Sequence, residues 1–280
     1  MSVRFTSIVP ARTRNHGGGF SLKAVSLHDL AEAASPVTVL DDFRVRDQPF
    51  SPHPHAGFSA VTYVFEDSNG SLRSRDSLGN DVVVGPGGLV WTQAGRGVIH
   101  QEVPADEREL HGLQLFVNLS AKNKLVEARM LKLDPSAVPE WQNEETGDRV
   151  RVVVGSYGGH LSPLVPIEPF TFLDVRLRKA ITFDLKSEHN ALVYLVGGAI
   201  RLRSGDREQK MAGGHAIALY GESGSVEIAA LGPSHLIILG GPDLNDPIVV
   251  DGPFIMNEPT QIEAALERYR SGEMGHLEPI

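Results

Sequence analysis

The chain has no cysteine in its 280 residues. That absence removes disulfides, thiolate zinc sites, iron–sulfur clusters and thiol nucleophiles, and leaves any metal to His, Asp or Glu. No apolar run approaches the ~18 residues of a membrane-spanning helix. The opening stretch MSVRFTSIVPARTRN lacks the apolar core of a secretory signal. A cytoplasmic protein with no membrane partner is expected. Basic residues are also scarce: 26 Lys and Arg against 35 Asp and Glu leave a net charge of −9. This is the wrong balance for neutralising phosphates, so direct nucleic-acid binding is not expected. What the chain has in quantity is punctuation, with 29 Gly and 18 Pro spread without a period. That is the composition of a turn-rich globular protein, and at ~150 residues per domain the length fits about two domains.

Short β-branched and aromatic segments alternate with turn signals. Ser59-Ala-Val-Thr-Tyr-Val-Phe65 ends at Asp67-Ser-Asn-Gly70, Asp81-Val-Val-Val84 at Gly85-Pro-Gly-Gly88, and Leu89-Val-Trp-Thr92 at Ala94-Gly-Arg-Gly97. Leu113–Leu119 reads as a further strand. The same rhythm returns in Asn190–Val196, Ala199–Arg203, Gly213–Leu219, Ser225–Leu231 and Ser234–Leu239. Val61-Thr-Tyr-Val-Phe65 resembles Leu192-Val-Tyr-Leu-Val196, and Gly85-Pro-Gly-Gly resembles Met211-Ala-Gly-Gly, a weak internal duplication. The pattern predicts an all-β protein of two tandem barrels, 1–137 and 138–280. Ala121–Ala137, carrying Lys122, Lys124 and Lys132, reads as a connector, and Glu140–Asp148 as a polar turn. One helix is predicted near the end, with Asn257 as cap, Pro259 in the first turn, apolar positions at Ile262, Ala265, Leu266 and Tyr269, and Gly272 at the stop. Phe254 and Met256 would anchor it.

The chemistry concentrates in His53-Pro-His55 and His100-Gln-Glu102. In a strand, residues i and i+2 share a face, so each pair sends two metal-capable side chains to one side. If both strands face one barrel interior, three imidazoles and a carboxylate converge. That set suits divalent Fe, Mn, Ni, Co, Cu or Zn, and on an octahedral ion it leaves two positions open. The plainer alternative is a histidine pair in a surface loop and a polar pair at a barrel rim. His215 and His235 are expected to be hydrogen-bonded structural residues, and His111 either that or a support behind the metal ligands. Phe43, Phe58 and Trp91 are either pocket lining or core.

Several motifs in order extend this reading: His53-Pro-His-Ala-Gly-Phe58, Arg75-Asp-Ser-Leu-Gly-Asn80, Gly85-Pro-Gly87, Ala94-Gly-Arg-Gly-Val-Ile-His100 and Leu110-His-Gly-Leu-Gln-Leu-Phe-Val-Asn-Leu119. Together they resemble the signature of the pirin family, a branch of the cupin superfamily, from about residue 40 to 125. The likeness returns at Gly252-Pro-Phe-Ile-Met-Asn257. It implies a bicupin with one mononuclear metal, usually Fe(II), in the N-terminal barrel, held by His53, His55, His100 and Glu102. It also implies a C-terminal barrel whose site has degenerated, with His189 resembling one residue of a lost histidine pair. Where the family usually has Arg-Gly-Phe-Glu-Thr, this chain has Ala56-Gly-Phe-Ser-Ala60, and Ala128-Arg-Met-Leu131 replaces Pro-x-Tyr-Gln.

The resemblance implies an oxidoreductase like quercetin 2,3-dioxygenase, cleaving a flavonol-like aromatic substrate with O2, with Glu102 as the catalytic base. The other reading is an iron-dependent, redox-sensing co-regulator that acts through a protein partner.

Overall fold

The computed structural model of the protein describes residues 3–17, 19–48 and 50–280. These form two compact units, each built from antiparallel strands. No helix among the described residues is long and apolar enough to cross a membrane.

The first unit comprises 13–22, 38–135 and 244–280. In one sheet, Phe58–Val64 lies between Leu89–Gln93 and Leu110–Asn118, with Arg129–Leu133 on the outer edge and Val37–Val45 beyond Leu110–Asn118. Phe58–Val64 is buried at every residue, as its two-sided packing requires. A second sheet runs in the order His53–His55, Val98–Pro104, Leu72–Asp76, Asp81–Val84. Val45, Val64, Leu72, Val84, Val90 and Leu110 fill the space between them.

The second unit comprises 3–12, 23–37 and 136–243 of the described residues. It repeats the plan. His189–Gly197 lies between His215–Gly221 and Ser234–Pro242, and a four-stranded sheet runs Ala180–Leu185, Gly224–Ala230, Ala199–Ser204, Arg207–Ala212. Ala180–Leu185 alternates strictly, with Ile181, Phe183 and Leu185 inward. The internal duplication is therefore real, and Tyr63 and Tyr194 occupy equivalent, fully buried positions. The second sequence pairing is out by one residue. Leu72 pairs with Val84 as Ile200 pairs with Met211, all four inward, so Val84 and not Gly85 corresponds to Met211.

Chain order and spatial grouping part company at both ends. The middle division falls between Pro135 and Ser136. Val3–Phe5, however, pairs with His215–Gly221 in the second unit. The C-terminal helix Pro259–Arg270 packs in the first, where Ile262, Ala265 and Met274 join Ala56, Ile99, Phe254 and Met256 in one apolar cluster. The cap is Glu258 rather than Asn257. Gln261 reaches back to accept the N–H of both Asn257 and Glu258, while the Asn257 amide donates to the Pro247 carbonyl. The expected connector contains a strand, Arg129–Leu133, paired with Leu89–Gln93. Glu140–Asp148 is a hairpin tip, since Glu140–Asn143 pairs with the strand starting at Asp148.

Candidate metal centre

Strand register assembles the centre. Val98–Pro104 pairs on one side with His53–His55, placing His100 opposite His53. On the other side it pairs with Leu72–Asp76, placing Glu102 opposite Ser74. The donor atoms of His53, His55 and His100 lie within 4.8 Å of one another, and the Nε2 atoms of His53 and His100 are 3.2 Å apart. Two nitrogens each ~2.1 Å from one ion at right angles stand about 3 Å apart, so this spacing fits neighbouring ligands.

The rings are held for that role. His53 donates its Nδ1–H to the Ser51 carbonyl at 2.9 Å, which fixes the lone pair on Nε2. His55 packs edge-on to Phe58 and Phe116. Burial, and then the neighbouring His53, push the His55 pKa down to about 3, with the Pro253 carbonyl opposing. His100 is pushed well below its ordinary value by burial and by His55 and His53. Both rings are therefore neutral, the state that ligates a metal. Among the described residues, the buried Nδ1 atoms of His55 and His100 have no hydrogen-bond partner. Three imidazoles packed this closely, with His55 and His100 held neutral, fit a divalent first-row cation.

Glu102 lines the same cavity but is not in the group of donors within 4.8 Å of each other. Its carboxylate meets Thr62 Oγ1 at 2.5 Å and Ser74 Oγ at 3.1 Å. Burial raises its pKa to about 6, against the pull of both hydroxyls. Thr62 also contacts Gln114 Oε1 at 2.7 Å. One hydroxyl carries one proton. If Thr62 donates to Glu102, Gln114 must turn its amide nitrogen toward Thr62; if Thr62 donates to Gln114, Glu102 must carry the proton itself. Thr62 and Gln114, not singled out in the sequence, thus couple the carboxyl to a second cavity-lining group.

The cavity has a volume of about 620 Å³ and is walled by Phe20, Phe43, Phe50, Leu72 and Phe116. Of the three aromatic candidates, Phe43 lines it, Phe58 packs beneath His55, and Trp91 is core. The strand behind the histidines is braced from the C-terminal segment. Ala56 and Phe254 form a parallel bridge, and Ile255 N–H donates to the Ala56 carbonyl. Gly57, at φ +84°, admits this approach, because a Cβ there would sit 1.9 Å from the Ile255 carbonyl oxygen. Lys124, in the segment read as a connector, is fully buried. Its ammonium donates to the Gly57 and Ile255 carbonyls, each at 2.8 Å, and to Asn118 Oδ1.

His111 is structural. It lies between Asp42 and Asp67, at 2.9 and 2.8 Å. His235 contacts Asp174 at 2.7 Å, and His215 lies 3.1 Å from the Ala212 and Gly213 carbonyls. In the second unit, register equates His189 with Phe58, not with a member of the histidine pair. The positions matching His53, His55, His100 and Glu102 are Phe183, Leu185, Val226 and Ile228. All four belong to one apolar cluster, so the second barrel has core at these positions. The three histidines are the sole candidate metal-binding group among the described residues.

Comparison with known proteins agrees with this anatomy. Residues 8–117 match the pirin family, and residues 172–275 match the pirin C-terminal cupin domain. The chain is 30% identical to human pirin over 279 residues, covering 98% of this chain and 94% of that one. It is 32% identical over 277 residues to a pirin-like protein of Solanum lycopersicum, covering 95% and 91%. Among solved structures, a quercetin 2,3-dioxygenase from Acinetobacter baumannii superposes with a TM-score of 0.87 at 25% identity, with 98% of each chain covered. Matched in both halves and built on two cupin barrels of which one keeps its histidines, the chain belongs to the pirin family.

Proposed function

We propose that the protein is a metal-dependent dioxygenase that binds one divalent ion, Fe(II) in the cell, through His53, His55, His100 and Glu102, and opens a flavonol-like ring with O2. The observation that carries this is the convergence of three imidazoles on one wall of a cavity large enough for a three-ring ligand. The likeness to the Acinetobacter enzyme supports the choice of substrate class. The bound metal supplies Lewis acidity and a route for activating oxygen.

The chain's own residues do the rest. The apolar walls of Phe20, Phe43 and Phe116 seat the rings and exclude water. Glu102 accepts the proton of the substrate hydroxyl that approaches the histidines. Thr62 and Ser74 aim its oxygens, and Gln114 turns as the proton arrives, so the carboxyl does not have to move far.

Iron-loaded protein is expected to consume O2 with quercetin and release carbon monoxide. Glu102→Gln keeps most of the metal but loses ~10²–10⁴-fold in turnover, the usual weight of a general base. Full turnover in that variant would remove Glu102 from the chemistry, and no oxygen uptake by fully metal-loaded wild type would remove the dioxygenase.

A further inference from the structure

We propose that Asp41, together with Arg14 at the cavity mouth, is a specificity-determining pair that recognises a hydroxyl group on the substrate ring farthest from the histidines. The proposal rests on the reading above, in which an aromatic substrate meets the three histidines at its other end.

Alternation along Val37–Val45 places Asp41, Phe43 and Val45 on the cavity wall. Asp42, on the opposite face, goes to His111 instead. Asp41 is half-buried and accepts no hydrogen bond from the described residues. Arg14 and His16 act on it only through their charge, with no ion pair within reach. The other acidic side chains of this unit's interior are bonded: Glu102 meets two hydroxyls, and Asp76 accepts from Leu78 N–H and from both Asn80 nitrogens. A carboxylate against apolar walls with no donor is costly, and a ligand donor relieves it.

The chemistry of the mouth selects the group. A cationic amine is repelled by Arg14, and a carboxylate by Asp41. A neutral hydroxyl satisfies both, donating to Asp41 and accepting from Arg14. Between mouth and metal centre the wall is a run of rings: His16 stacks on Phe20 at 5.2 Å, Phe20 meets Phe50 edge-on at 5.3 Å, and Phe50 faces His53 at 6.4 Å. A flat, multi-ring phenol lies along that run with a hydroxyl at each end.

The test uses 3-hydroxyflavone and 3,3′,4′-trihydroxyflavone, which share the metal-facing edge and differ only in the distal ring. Each is titrated anaerobically into metal-loaded protein, and turnover in air is measured separately. Wild type is expected to prefer the trihydroxy compound by about tenfold, the worth of a hydrogen bond to a charged group. Asp41→Ala abolishes the preference by weakening that compound alone, and Asp41→Asn retains part of it. Since Asp41 bonds none of the described residues, neither variant is expected to lower the melting temperature.

A wild type without preference, or a preference unchanged in both variants, overturns the proposal; with normal turnover of both flavonols, the dioxygenase reading survives. A preference lost in Asp41→Ala without any oxygen uptake does the reverse. Failure of wild type to bind either flavonol sinks both.

Discussion

Replacing Lys124 with methionine is the most direct probe of how the centre is braced. The side chain is fully buried and gives its three N–H bonds to Gly57 O, Asn118 Oδ1 and Ile255 O. Methionine fills similar volume but leaves three buried oxygens without a donor, at about 1–3 kcal/mol each. Part of this is returned, because burial holds the Lys124 pKa at about 8, below its ordinary 10.5, with Asp246 opposing. At ~1.4 kcal/mol per pH unit, that strain on the charged form is worth about 3 kcal/mol. The net loss is about 3 kcal/mol, a fall of ~6–12 °C in melting temperature.

The pH dependence is diagnostic. Between about 8 and 10.5 the unfolded chain keeps the lysine proton and the folded chain sheds it, so this group makes stability rise with pH through that window. Lys124→Met lacks that rise. Urea titrations at pH 7, 8, 9 and 10 should show a variant less stable at pH 7 and a gap that widens toward pH 10. A variant within ~0.5 kcal/mol of wild type at pH 7, or a gap that narrows, would refute the reasoning.

Other perturbations separate the two barrels. Asp148 accepts from the Arg178, Lys179 and Ala180 amides at 2.6, 2.8 and 3.3 Å and from Thr146 Oγ1 at 2.6 Å. Burial opposes these bonds, yet they hold its pKa below the ordinary value. Its contribution is therefore present above ~4 and lost as pH falls through the folded pKa, and Asp148→Asn should cost about 2 kcal/mol in guanidinium melts at pH 7 and remove that acid-sensitive component. His111 is opposite in sign. Burial depresses it, but Asp42 and Asp67 prevail and raise its pKa. Its stabilisation is full below ~6.5 and fades as pH climbs through the raised value, a decline that His111→Gln should not show by thermal melting. Chelation should lower the melting temperature and a divalent ion restore it, by ~2.7 kcal/mol at 100 times Kd. His100→Ala should show neither response in scanning calorimetry.

Much of the centre is legible in the chain. Histidines two apart must share a strand face, and cysteine's absence confines a metal to His and carboxylate donors. Asp41 was also within reach, since Asp41-x-Phe43-x-Val45 carries the same alternation, though nothing local says which face is the cavity. Lys124 carried no signal, because three lysines in a connector look alike until one is enclosed. His189 misled for a related reason. A histidine near a strand start resembles a lost ligand until register aligns it with Phe58 and shows Phe183, Leu185, Val226 and Ile228 at the donor positions.

What the sequence by itself determined is local and periodic: the strands, their turns, the two-fold repeat and which residues share a face. These follow from backbone sterics and the two-residue period of a strand. Tertiary structure alone decided the long-range partners. It set His100 opposite His53, laid the C-terminal segment against Gly57, and grouped the terminal helix with the first barrel. Hydrophobic burial is non-directional, so pairing register and close approach between distant segments emerge only when the whole core is assembled.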